Sequence, residues 1–370
     1  MKLTRPLTRP MAALATLALV AAACGGGGDE SADSTAPSST STTTTTTTKP
    51  TTTTSSTSTT TTVPEIIRQP LTGAPLASAD EIIARPALVA KIDNNAAAVP
   101  NHSGLAVADI VFEEVVEGRT TRFAAAFHSQ SSDPIGPIRS GRTQDVDLFT
   151  SFFFPLFVWS GGNPGVTRAI NESTLINMGP NNARGYFRGP GRAPHNFYTS
   201  TDVIWEQAPG DEPTAPRQQF VYLEAEQAFD GDASSGVKAR VGSENIEWTW
   251  NPELAKFDRS QRGRPHDDAL WGRIRATNVI VMGVRYQPSS VDRNSPEAQT
   301  VGTGPVWVFS DGKVTTGSWT RDVNTEPLEF VTADGEPIAL NPGNTWIELA
   351  DNNDVDAGGV EVLPAAPPVP

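Results

Sequence analysis

One cysteine in 370 residues, Cys24, is the feature that most restricts how this chain is held together. It ends the apolar run Leu19-Val20-Ala21-Ala22-Ala23-Cys24. If that thiol is acylated, no free thiol remains, and disulfides, a thiolate nucleophile and cysteine metal sites are excluded together. Stability must then come from an ordinary apolar core. The length allows two domains once the segments of low complexity are set aside.

Lys2, Arg5 and Arg9 precede an apolar stretch from Met11 to Ala23. A charged start, a short apolar middle and small residues at the cut form the pattern of a signal peptide. Thirteen residues rise only about 20 Å as a helix, short of the roughly 20 residues that cross a bilayer. A cysteine behind three alanines resembles the bacterial lipobox, although Ala21 stands where leucine is favoured. The competing reading is an ordinary secretory signal cut near Ala23. Residues 1–23 are therefore expected to be a lipoprotein signal peptide. Cys24 is then the lipidated residue, with palmitate among its chains. Each buried methylene adds about 0.8 kcal/mol, so several acyl chains tether a protein firmly to the outer face of the cytoplasmic membrane. Residues 24–64, glycine and then Ser/Thr/Pro with runs such as Thr42 to Thr48, offer too little apolar surface to offset chain entropy. They are expected to be a disordered tether, reaching about 35 Å.

The net charge is −14, and removal of the signal peptide takes it to −17. Such a balance argues against nucleic acid as a partner and against lying flat on anionic lipid. The acidity is uneven. Between Arg119 and Arg192 there are eight arginines, no lysine and four acids, Asp133, Asp145, Asp147 and Glu172.

The pattern along the chain predicts an α+β fold. A mixed α/β sheet domain is expected over 65–210, followed by a strand-rich, mainly antiparallel domain over 211–350. In the first, strands are expected at Leu88 to Ile92, Ile110 to Glu117, Arg122 to His128 and Leu156 to Trp159, the middle two as a hairpin around Gly118-Arg119-Thr120. Helices are expected at Asp145 to Phe154, stopped by Pro155, from Val166 to Ile170, and around Trp205. In the second, strands are expected at 237–241, 246–250, 279–286, 306–309, 314–320 and 346–349. The last stretch, 351–370, acidic and then Pro/Ala-rich, reads as a disordered tail.

Two Arg/Gly loops carry the clearest chemistry. They are Ile135-Gly136-Pro137-Ile138-Arg139-Ser140-Gly141-Arg142 and Arg184-Gly185-Tyr186-Phe187-Arg188-Gly189-Pro190-Gly191-Arg192. A guanidinium grips carboxylate or phosphate in two-pronged fashion, and nearby glycines let backbone amides approach the same anion. Converging, the loops would form an anion site; alternatively, their arginines neutralise Glu113, Glu114 and Asp93. On Ile110 to Glu117, Glu113 and Glu117 share one face about 13 Å apart along a strand. That is too far for the carboxylate pair of a glycosidase, which needs about 5–9.5 Å. Glu114 is expected on the other face, paired with an arginine. His195 and His266 stand in polar loops, but no H-x-x-x-H or H-E-x-x-H spacing exists, and no metal or cofactor is expected. G-x-S-x-G, a P-loop and G-x-G-x-x-G are also absent.

The chain resembles the YerB-like family of bacterial lipoproteins, whose two domains have no assigned function. The N-terminal resemblance rests on Ile92-Asp93-Asn94, Asp109-Ile110-Val111-Phe112-Glu113, Thr121-Arg122-Phe123, Gly136-Pro137-Ile138-Arg139-Ser140 with Arg142, and Gly161-Gly162. The C-terminal resemblance rests on Arg192 with Pro194-His195-Asn196, Gly263 with Pro265-His266, Gly317-Ser318-Trp319, and Asn341-Pro342-Gly343 with Thr345-Trp346-Ile347. Phe112 and Phe197 stand where tyrosine is expected. The resemblance implies a lipid-anchored, two-domain extracytoplasmic protein and brings no reaction with it.

These features point to a noncatalytic envelope protein that binds an anionic cell-wall component or a wall-active partner protein. Its expected ligand residues are Arg122, Arg139, Ser140, Arg142, Gly161, Gly162, Arg192 and Asn196. One alternative is a wall hydrolase or transferase using His195, His266, Asp93 and Glu113. Another is a structural scaffold.

Overall fold

The computed structural model describes residues 66–210 and 214–365. The signal peptide, Cys24 and the Ser/Thr tether lie outside the described residues. From residue 66 onward the chain belongs to one compact unit.

The first half contributes β1 (Leu88–Asp93), β2 (Ile110–Val115), β3 (Thr121–Phe127), α1 (Gln144–Phe149), β4 (Leu156–Val158), α2 (Pro164–Asn171), β5 (Ile176–Asn177), β6 (Phe187–Arg188), β7 (Phe197–Tyr198) and α3 (Thr201–Trp205). A long meander follows, with β8 (Asp232–Val241), β9 (Glu244–Asn251) and β10 (Lys256–Gln261). Short strands come next: β11 (Arg264–Pro265), β12 (Asp267–Asp268), β13 (Gly272–Arg273) and β14 (Arg275–Ala276). The chain closes with β15 (Asn278–Pro288), β16 (Pro296–Gln299), β17 (Gly302–Ser310), β18 (Lys313–Arg321), β19 (Glu329–Val331), β20 (Thr345–Asp351), α4 (Asn352–Asp356) and β21 (Val360–Pro364). The fold is α+β.

The central sheet runs β5-β4-β1-β3-β2-β20-β15-β17-β18-β19. Its middle pairing, β2 with β20 in parallel, joins the two halves of the sequence and sets Glu113 directly opposite Glu348. β8, β9 and β10 form an antiparallel second layer, with β21 on the free edge of β8. Strand periodicity of two sends alternate residues to opposite faces. Val111, Phe123, Val279 and Trp346 pack with Trp248 and Phe257 of the second layer. Ile110, Phe112, Ile280 and Ile347 pack with Phe149 and Phe152 on the other side.

Local chemistry explains several boundaries. Asn163 caps α2 by accepting the Val166 amide at 2.9 Å, with Pro164 in the first turn; proline costs nothing there because that N–H has no helical partner. The helix expected to run from Asp145 to Phe154 stops at Phe149 and continues only as a 3-10 turn to Phe152. Phe153 and Phe154 then adopt positive φ, 63° and 54°, ahead of Pro155. The strand expected to reach Glu117 ends at Val115, and Glu117 enters a 3-10 turn.

The stretch after Asp351, expected as a frayed tail, is ordered over its described part. Asp351 caps α4 through the Asn353 amide at 3.0 Å. Val360–Pro364 then pairs antiparallel with β8. Composition hid this strand because what it supplies is backbone hydrogen bonding to an otherwise open edge, with little side-chain burial of its own.

Candidate anion-binding site

Three loops converge on the end of β1. The Gly136–Arg142 loop folds back on β1, the Asp93 amide donating to Pro137 O at 2.9 Å and the Arg139 amide to Lys91 O at 2.9 Å. The Gly161 loop joins it through Ser160 N to Arg139 O at 2.9 Å and Gly141 N to Gly161 O at 3.2 Å. Gly161 has φ +102°, a conformation that favours a residue without Cβ. The β6–β7 hairpin docks through Ile138 N to Phe197 O at 2.5 Å.

The side chains that meet there are charged. Asp93 Oδ2 lies 2.5 Å from His195 Nδ1 and 3.1 Å from Arg139 Nε. Because the carboxylate can only accept, Nδ1 of His195 carries the proton in this contact. Arg122, opposite Asp93 on β3, donates from Nη1 to Ser140 O at 2.6 Å. It is only 8% exposed and forms no salt bridge among the described residues. Burial pushes its guanidinium down to about 10, and the neighbouring Arg142 and Arg139 push the same way, against weaker pulls from Glu117 and Asp93. Arg142 is held by both oxygens of Glu117, with Nε to Oε1 at 2.7 Å. Burial acts to raise the Glu117 carboxyl, but the Arg142 bond and charge outweigh it and leave it below its ordinary value.

Behind this cluster a chain of polar groups crosses the core between the two sheets. His102 Nε2 bonds the carbonyl oxygen of Asp93 at 2.6 Å, and its Nδ1 meets His266 Nε2 at 2.8 Å. Arg259 Nη1 reaches His266 Nδ1 at 2.6 Å, and Arg259 Nη2 bonds Glu113 Oε2. A carbonyl only accepts and a guanidinium only donates, so the tautomers are fixed. Both histidines are neutral and carry their proton on Nε2, each donating toward Asp93. Burial pushes His102 down to about 4 and His266 well below its ordinary value, with the Arg259 charge adding to the latter.

Beyond Arg259, Glu113 also accepts from Thr121 Oγ1 at 2.6 Å and Asn94 Nδ2 at 3.0 Å. Burial and the Glu113 charge raise Glu348 well above its ordinary value, while Arg259, whose Nε lies 3.6 Å from Glu348 Oε1, pulls it the other way. Glu348 accepts from Trp248 Nε1 at 2.9 Å. Arg259 thus stands against both glutamates in the interior.

Comparisons with known proteins match the chain in two segments. The model described as "Protein of unknown function (DUF3048) N-terminal domain" matches residues 71–214, and its "C-terminal domain" counterpart matches 237–347. The chain belongs to the YerB-like DUF3048 family. It is 28% identical over 305 residues to "Putative lipoprotein YerB" of Bacillus subtilis (strain 168), covering 80% of this chain and 88% of the relative. The crystal structure of the YerB protein from Bacillus subtilis superposes with a TM-score of 0.68 at 25% identity, over 80% of this chain and 99% of that one.

In this YerB-like chain the fold sets Arg139 and His195 on the Asp93 carboxylate, with Arg122 beside them on the Ser140 carbonyl, Arg142 near Arg122 but held by Glu117, and Gly161 one backbone bond away. Gly162 instead starts the turn into α2, its carbonyl facing Thr167 Oγ1 at 3.4 Å. Asn196 turns to its own hairpin, accepting from Arg188 Nη1 at 3.0 Å. Arg192 is exposed. His195 and His266 share no carboxylate; His102 separates them. Glu114, expected to meet an arginine, is fully buried against Lys91, which also holds Asp145 at 2.8 Å. Among the described residues no group of three or more His, Cys, Asp or Glu could hold a metal ion.

Sequence reading missed His102, Arg259 and Glu348. A signal for Arg259 was available: Phe257, Arg259 and Gln261 alternate on one face of β10, and all three are buried. Glu348 likewise shares a strand face with Trp346.

Proposed function

We propose that this protein is an envelope lipoprotein, anchored through Cys24 at the outer face of the cytoplasmic membrane, that binds an anionic component of the cell wall. The observation that carries this reading is Arg122, a nearly buried guanidinium without a carboxylate of its own, flanked by Arg139 and Arg142. The Arg142 and Arg139 charges both repel that of Arg122, and an incoming carboxylate or phosphate relieves that repulsion. Arg139 shares Asp93 with His195 and keeps 23% of its side chain exposed. The relative's name as a lipoprotein supports the anchoring part of the reading, and no helix of the described residues is long and apolar enough to cross a membrane.

Calorimetric titration with inorganic phosphate and with acetate tests the binding part. Arg122→Gln is expected to weaken phosphate binding at least about tenfold, the loss of one charge-assisted hydrogen bond of roughly 1.5–3 kcal/mol. Unchanged affinity in that variant removes the proposal. Anchoring is tested separately: Cys24→Ser is expected to move the protein from the membrane fraction into the medium, and continued membrane association of that variant contradicts it.

The Asp93–His195 contact favours one second reading. A histidine oriented by a carboxylate, with its other nitrogen toward a partly open surface, is the arrangement of a general acid–base. On that reading His195→Gln abolishes turnover of a wall polymer while leaving phosphate binding in place.

A further inference from the structure

The β6–β7 hairpin reverses the electrostatic character of the molecule. Residues 183–199 contain Arg184, Arg188 and Arg192 and no acidic residue, in a chain of net charge −14. All three arginines are exposed, and none forms a salt bridge among the described residues. One of them, Arg188, is positioned by neutral groups instead. The Arg188 guanidinium sits 4.8 Å from the centroid of the Phe197 ring and donates to Asn196 Oδ1 at 3.0 Å. Asn196 Nδ2 in turn donates to Gly189 O at 3.4 Å and Gly191 O at 3.3 Å, which pins the tip. The charge of the hairpin is therefore not neutralised within the described residues, and at Arg188 it is also positioned.

The same hairpin presents an aromatic face and leads into the anion site. Phe187 is 44% exposed, and its ring stacks on Tyr198 at 5.9 Å. Arg192 O accepts the His195 amide at 2.8 Å, and the His195 ring then reaches Asp93 beside Arg139. The hairpin backbone thus connects Arg192, through His195 and Asp93, to Arg139 at the edge of the inner cluster.

We infer that the hairpin is the outer track of a binding surface for a linear polyanion, a polymer bearing a negative charge on each repeat, with the Arg122 cluster as its innermost subsite. This inference rests on the anion-binding reading above and names the class of ligand. A single small anion would leave the hairpin arginines unused, whereas a charged polymer engages them in series. A flat anionic membrane is the poorer fit, because the acidic remainder of the chain would be driven against it. A polymer touches only the basic strip.

The test uses the full chain with two probes, inorganic phosphate and long-chain polyphosphate, and a third arm of phosphatidylglycerol vesicles. The triple variant Arg184→Ser/Arg188→Ser/Arg192→Ser is expected to lose at least about tenfold in polyphosphate affinity. Its salt dependence should flatten by about two in the log–log slope, at roughly 0.7–0.9 for each guanidinium–phosphate pair removed. Its affinity for phosphate is expected to stay that of the wild type. The corresponding triple lysine variant, which keeps the charge, should retain most of the polyphosphate binding. Wild-type polyphosphate affinity in the serine variant overturns the inference. So does a wild-type preference for the vesicles that the serine variant abolishes, because the ligand is then a membrane. Failure of the inner site reads differently: Arg122→Gln would bind phosphate normally while the hairpin variant still lost the polymer.

Discussion

Arg259→Met is expected to lower the unfolding free energy by about 3–5 kcal/mol, the range for removing one partner of a buried ion pair. Arg259 is fully buried and donates to Glu113, His266 and Gln261. Its guanidinium also lies 5.1 Å from the ring centroid of Trp346 and 5.3 Å from that of Phe123. Methionine fills the volume but donates nothing. Glu113 would be left as an uncompensated interior charge beside Glu348, and His266 Nδ1 would lose its donor. A typical domain has about 5–15 kcal/mol in reserve, so this one change takes a large share of it. Adding Glu113→Gln to Arg259→Met should restore part of the loss, because the orphaned charge disappears. Urea unfolding of the two variants beside the wild type measures both effects. A loss below about 1 kcal/mol in Arg259→Met would show that the core does not depend on this network.

Acid is expected to act through the same network. His102 is held down to about 4 in the folded chain against about 6.5 unfolded. A depressed folded value means that the unfolded chain binds more protons between those limits. The stabilisation is therefore complete above pH 6.5 and is lost as pH falls toward 4. At about 1.4 kcal/mol per pH unit, His102 alone accounts for about 3 kcal/mol across the window. His266 adds in the same sense, and so does His128, which burial likewise holds near 4. Glu348 runs the other way: its raised value favours the folded state at low pH, and that contribution is lost as pH rises through it. Asp109 and Asp268, raised by burial, act in the same sense as Glu348. The difference between wild type and His102→Gln isolates the histidine. Glutamine can donate to Asp93 O and accept from His266 without titrating. Unfolding curves at pH 7.5, 6 and 5 should show the wild type losing stability relative to the variant at each step downward. A constant gap would mean that His102 does not enter the fold as the neutral ring its hydrogen bonds require.

Both effects arise from contacts between strands far apart in the sequence, so their partners cannot be read from either strand alone. Glu113 could be placed on a strand face from Val111-Phe112-Glu113-Glu114-Val115 alone. Its partner on the neighbouring strand, Glu348, comes from the far end of the chain, and its counterion Arg259 comes from the second layer. Lys91, read as part of an apolar strand, holds Glu114 and Asp145 in the interior. Glu114 therefore needs no arginine, which leaves Arg122 free for another anion.

Residue order alone determined the α+β class, the strands expected from Leu88, Ile110 and Arg122, and those at 237–241 and 246–250, but not the third strand of the meander, Lys256–Gln261. Each of these is written in nearest-neighbour terms: β-branched runs, period-two alternation, and proline or glycine at the ends. The arginine-rich loops were visible for the same reason, since charge and glycine can be counted along a line. What the tertiary structure decided is which loops meet and which charges cancel. That depends on register between strands far apart in sequence, and register is fixed by the packing of whole faces. The parallel pairing of β2 with β20 brings two glutamates together. The fold of the Gly136–Arg142 loop onto β1 then sets Arg139 on Asp93 and brings Arg142, held by Glu117, close to Arg122.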